Sequence, residues 1–110
     1  MLIPILKHFV PIPDLTKCQR FCFVGPHPDD IEVGCGATVS LLAKAGKDIM
    51  FLVATDGGAG TSDPNMPREK LVETRMEESK RSAALLGVEK VAFLAFPDGG
   101  FYTPVELAKK

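Results

Sequence analysis

The chain has 110 residues, 45% of them hydrophobic and 25% charged, with a formal net charge of -1. Those proportions fit one globular domain with a modest core, and the interleaved charge excludes an electrostatic footprint for nucleic acid or an acidic membrane. Residues 1–13 are apolar, but Lys7 and His8 interrupt them and Pro4, Pro11 and Pro13 break any helix. Such an arm is neither a secretory core nor a membrane span, which needs roughly 18 or more apolar residues, so a cytoplasmic protein is the default expectation.

After an N-terminal arm over residues 1–19, a single domain over residues 20–110 alternates strand and helix. Phe21, Cys22, Phe23 and Val24 predict a first strand. A helix follows over 31–45, with Val33, Ala37, Val39, Leu41 and Leu42 among its apolar positions and Gly46 as its stop. Residues 49–54 are a continuous apolar run of strand length, as expected when both faces of a parallel strand are covered. In a second helix over 68–86, Val72, Met76, Ser79, Ala83 and Leu86 recur at steps of four and three, and Gly87 ends it. A third strand is predicted over 91–95. Strands joined by long helices demand right-handed crossovers and a parallel sheet. The expected fold class is therefore α/β, a three-layer α/β/α sandwich with a mostly parallel, Rossmann-like sheet that is incomplete in this chain.

Thr103-Pro104-Val105-Glu106 is a capping box with proline at the first helical position. The chain stops at Lys110 after less than two turns, so the expectation is the N-terminal part of a longer protein. Cys18, Cys22 and Cys35 lack the spacing of a zinc ribbon. Reduced, structural thiols are expected, with Cys35 inside an apolar helix face.

The tetrapeptide His27-Pro28-Asp29-Asp30 carries the chemistry. It lies between a predicted strand and helix, where ligand sites of open parallel sheets form, and imidazole with carboxylate suits zinc or a related divalent ion. The plain reading makes one Asp an N-cap and both a match for the helix dipole, yet capping needs no imidazole. A dinucleotide fingerprint at Gly34-Cys35-Gly36 fails, because Val39 occupies its last glycine position and the glycines fall inside the helix pattern. No Walker motif and no nucleophile elbow is present.

From Gly25 to Thr38 the chain resembles the signature of the PIG-L/LmbE-like family of zinc-dependent de-N-acetylases. The likeness continues through Thr55-Asp56-Gly57-Gly58, Arg75 with Glu78, Leu86-Gly87-Val88 and Phe96-Pro97-Asp98. What the resemblance implies is removal of an N-acetyl group from an N-acetylglucosamine-type sugar or conjugate, releasing acetate and a free amine. It implies zinc or another divalent metal ion as cofactor, His27 and Asp30 as metal ligands, Asp29 as general base, and Arg75 and Asp98 as substrate contacts. A small-molecule partner is expected, with no nucleic acid or membrane partner and with homo-oligomerisation left open.

Plainer readings stand beside these. Arg75 pairs on its helix surface with Glu78 or Ser79, Asp98 is a turn residue before Gly99-Gly100, and Asp56 is a turn former rather than a contact. The long loop 57–67 borders the pocket. The family takes a third ligand from a downstream histidine, and the chain ends before that region; His8, its only other histidine, does not match. The alternative functions are a truncated, non-catalytic binding or assembly module of the same fold, or a nucleotide-binding Rossmann-like domain.

Overall fold

Strand and helix periods separate cleanly along this chain, and a computed structural model, describing residues 8–10 and 13–109, places the elements accordingly. A short 3-10 turn (Leu15–Lys17) leads into β1 (Arg20–Gly25), α1 (Asp30–Lys44), β2 (Asp48–Thr55), α2 (Arg68–Leu85), β3 (Lys90–Phe96) and α3 (Pro104–Ala108). The strands pair in parallel in the order β1-β2-β3, with Phe21 opposite Ile49, Phe23 opposite Phe51 and Phe51 opposite Val91. Gly46 and Gly87 stop the two long helices at φ 77° and 88°, the left-handed region open to glycine. The arm expectation falls largely on residues outside the described set; His8 is exposed and meets Phe9 edge to face. No described helix is long and apolar enough to cross a membrane.

Sheet order that follows chain order sends both crossovers the same way. Ile31 and Val39 of α1, Ile49 and Phe51 of β2, Ala83 of α2 and Val88 accordingly share one buried cluster, with Phe21 and Phe23 packed against it. This corrects the expectation that both faces of β2 are covered. Ile49, Phe51 and Val53 are buried while Met50 and Leu52 between them are only half-buried, the period-two alternation of a strand with one better-covered face. Among the described residues the chain thus builds the parallel α/β sheet with α1 and α2 sharing one buried cluster against it.

The helix faces also differ from expectation. α1 carries two apolar stripes, and only Ile31, Val39, Leu42 and Ala43 join the core. Val33, Ala37 and Leu41, spaced by four, point away, with Val33 84% exposed. All three cysteines are free and exposed, so Cys35 does not lie in a buried face. In α2, Leu71, Ser79 and Ala83 are buried. Thr103 and Glu106 form both bonds of the capping box, with Thr103 Oγ1 accepting from Glu106 N at 3.3 Å and Glu106 Oε2 accepting from Thr103 N at 2.7 Å.

The pairing of β2 with β3 is irregular at its carboxyl end. Val53 faces Phe93, but Thr55 faces Phe96, so β3 holds one residue more than β2 across this step. Ala95, at φ 57°, stands in that bulge. Phe96, the residue after the bulge, is buried, and a bulge of this kind bends its strand locally. Left-handed backbone is tolerable for alanine and poor for a β-branched residue. Ala95→Val is expected to cost about 1 kcal/mol or more in a urea unfolding titration. Ala95→Gly is expected to stay within about 0.5 kcal/mol of the parent, since relieved strain offsets the freedom glycine adds to the unfolded chain.

Candidate functional site

The carboxyl ends of β1, β2 and β3 converge, and each contributes a polar residue from the turn that follows it. After β1, Pro28 fixes one torsion of the turn into α1 and is buried. Asp30 Oδ2 accepts a bond from His27 N at 2.9 Å and lies 3.1 Å from His27 Nδ1. Asp29 occupies the N-cap position with its backbone carbonyl accepting from Val33 N at 3.1 Å, but its side chain makes no capping bond. The Asp29 carboxylate is therefore exposed and uncommitted to the helix end.

The turn after β3 supplies Asp98. Its Oδ1 lies 3.0 Å from His27 Nε2, and its Oδ2 accepts from Ala59 N at 3.3 Å. His27 thus stands between two carboxylates. Burial works against charge on the ring, but Asp98 and Asp30 outweigh it and raise the imidazole above its ordinary pKa. Asp98 is more than the turn residue of the plainer reading, since it holds the ring from the opposite side to Asp30.

Asp56, after β2, joins these segments. Its Oδ1 accepts from Gly58 N at 2.8 Å, from Asp98 N at 3.0 Å and from the Arg68 guanidinium at 3.1 Å. Burial opposes ionisation of Asp56, yet those two backbone N–H groups and Arg68 prevail and hold its carboxyl below the usual range. The bond to Gly58 N is the turn geometry expected for Asp56. The bonds to Asp98 and Arg68 are the part that sequence reasoning missed, and its only signal was an Asp ahead of paired glycines. Gly57 is fixed by packing as well: at φ 67° an added Cβ would meet Pro28 Cδ at 3.0 Å and Cγ at 3.1 Å. The turns after β1 and β2 therefore touch through a position that only glycine fills without displacement.

These turns enclose a cavity of about 220 Å³ lined by His27, Pro28, Asp29, Gly57, Gly60, Arg75 and Asp98. Four of the five residues singled out from sequence line it, and the fifth, Asp30, touches His27 at its edge. Arg75 donates to Gly60 O at 3.3 Å and forms no ion pair on its own helix among the described residues, against the surface-pair reading. His27 and Asp30 are donors of the types that bind divalent metals. Among the described residues, no group of three or more His, Cys, Asp or Glu stands close enough to hold an ion.

Because Asp56 has a lowered pKa when folded, its contribution to stability is fully present above its ordinary value of 3.8 and disappears as pH falls through the folded value. Asp56→Asn is expected to lose about 2 kcal/mol at neutral pH, the scale of hydrogen bonds to a charged group. Chemical denaturation at neutral and acid pH should show the gap between variant and parent closing below pH about 4.

Comparison with known proteins shows the family. A family model described as PIG-L, GlcNAc-PI de-N-acetylase, matches residues 22–110. A diacetylchitobiose deacetylase from Thermococcus kodakarensis is 44% identical over 80 residues, which is 73% of this chain and 30% of that protein. A 1D-myo-inositol 2-acetamido-2-deoxy-alpha-D-glucopyranoside deacetylase from Kineococcus radiotolerans is 37% identical over 92 residues, 80% of this chain and 26% of that protein. The solved structure of N,N'-diacetylchitobiose deacetylase from Pyrococcus horikoshii, complexed with its inhibitor MPG, superposes with a TM-score of 0.79 at 29% identity, covering 88% of this chain and 38% of that one. The chain spans between 26% and 38% of the length of these relatives. With the match running from the first strand through Lys110, the chain belongs to the PIG-L (GlcNAc-PI de-N-acetylase) family.

Proposed function

We propose that the chain carries part of a metal-dependent de-N-acetylase centre, which removes acetate from an N-acetylglucosamine-type sugar or conjugate and leaves a free amine. The observation that carries this reading is the Asp29 carboxylate, free of any capping bond, in the same cavity wall as His27, Arg75 and Asp98. The names of the relatives, deacetylases of diacetylchitobiose and of a 2-acetamido-2-deoxyglucopyranoside, support the substrate class.

His27 and Asp30 would hold the ion, zinc or another divalent cation, with further ligands from outside the described residues. Such an ion, when bound, acts as Lewis acid toward the amide carbonyl and acidifies water. Asp29 takes the proton as the water oxygen bonds to the acetyl carbon, then returns it to the nitrogen as the C–N bond breaks. Water thus supplies the second oxygen of acetate and the hydrogen of the amine. Asp98 keeps the imidazole oriented, the role that carboxylates play beside metal-bound histidines. Arg75 offers a guanidinium to sugar hydroxyls in the same cavity.

A second reading is a binding module of the same fold without turnover. The full-length protein discriminates. With zinc added, it is expected to release amine from an N-acetylglucosamine derivative; metal binding without amine release would favour the binding module, and the absence of both would overturn the metal centre. Asp29→Asn is expected to lower turnover by about 10²- to 10⁴-fold, the usual worth of a general base, while metal content measured by mass spectrometry stays unchanged. His27→Ala is expected to lose the metal itself.

A further inference from the structure

A second cavity of about 190 Å³ opens beside the first and shares Asp29 and Arg75 with it. Its remaining wall comes from facing sides of α1 and α2, including Glu32, Glu78, Ser79 and Ser82. Ordinary small-molecule sites begin near about 300 Å³, a size that neither cavity reaches alone and that the two exceed together.

The wall of this second cavity has an excess of hydrogen-bond acceptors. Ser79 is only 2% exposed, and its Oγ has no hydrogen-bond partner. A buried hydroxyl in that state calls for a group that enters the cavity and satisfies it. Ser82 donates its single hydroxyl proton to Glu32 Oε1, which leaves the other Glu32 oxygen open. The Glu78 carboxylate has no hydrogen bond or ion pair among the described residues. Arg75 brings one guanidinium to this wall, but the carboxylates of Asp29, Glu32 and Glu78 outnumber it, while Lys80 Nζ pairs with Glu77 at 3.0 Å and Arg81 Nε donates to the Glu77 carbonyl at 3.5 Å.

We infer that this cavity is the subsite for the group attached to the acetylated sugar, and that it selects a hydrogen-bond-donating, non-anionic group. An ammonium group matches Glu32, Glu78 and Ser79 best, a polyol follows, and a phosphate or carboxylate is repelled. The assignment of the sugar rests on the de-N-acetylase reading. The charge preference rests on this wall alone. Asp29 stands in both cavities, so a substrate with its N-acetyl group in the first cavity extends its remaining part into the second.

The test uses the full-length protein and three N-acetylglucosamine glycosides of matched size, bearing aminoethyl, hydroxyethyl or carboxymethyl groups. In calorimetric titrations the aminoethyl glycoside is expected to bind at least about tenfold more tightly than the carboxymethyl one, with hydroxyethyl between them and the ratio shrinking as salt rises. Glu78→Gln and Glu32→Gln preserve size and hydrogen bonding, and the double variant should bring the ratio to about one. Equal binding of all three, no detectable binding, or a ratio unchanged in the double variant overturns the subsite. The preference without acetate release from any glycoside keeps the subsite and removes the hydrolase reading; acetate release from all three with equal dissociation constants does the reverse.

Discussion

The Asp56 carboxylate is the point through which three separate turns become one site. A single oxygen receives the amide of its own turn, the amide of Asp98 and the guanidinium at the start of α2. Asp98 is thereby held from its backbone while its side chain reaches His27, and His27 is gripped on its other nitrogen by Asp30. The result is a continuous polar line from Arg68 to Asp30 across the ends of all three strands. Charge-assisted bonds of this kind are shorter and stronger than neutral ones, and a fully satisfied network holds its members in one arrangement. Preorganisation at the site thus originates in a residue whose sequence context announces only a turn.

The sheet makes that line possible. Parallel strands present all their carboxyl ends on one side, so side chains from turns far apart in sequence meet without any long excursion of the backbone. The bulge at Ala95 stands three residues ahead of Asp98, at the point where β3 releases the chain. Beneath the turns, Phe51, Val53 and Val39 are completely enclosed. Their burial supplies the rigid floor on which the loops rest.

Much of this was legible in the residues themselves. Apolar runs of strand length, glycine stops and the Thr103 to Glu106 capping box each encode a local decision, and local decisions survive folding. His27, Asp29 and Asp30 were legible for the same reason, being neighbours in one turn. The contact between His27 and Asp98 spans 71 positions, and no periodicity reports on it. Nor did sequence distinguish the two apolar stripes of α1. Both have helical spacing, and only the placement of the sheet decides that Val39 is enclosed while Val33 and Leu41 face outward. Ala95 gave no sign of left-handed backbone, because alanine carries no preference for it.

The clasp between Asp56 and Arg68 has one more consequence. These residues form the neck of the loop 57–67, whose members from Thr61 onward are all exposed. Inside the neck, Ala59 and Gly60 turn backbone groups toward Asp98 and Arg75. A flexible loop that doubles in length costs only about 0.6 kcal/mol in closure entropy. An insertion grafted after Ser62 would therefore lengthen the rim while both anchors stay in place. Selection acting on this segment can redraw the entrance without rebuilding the machinery beneath it.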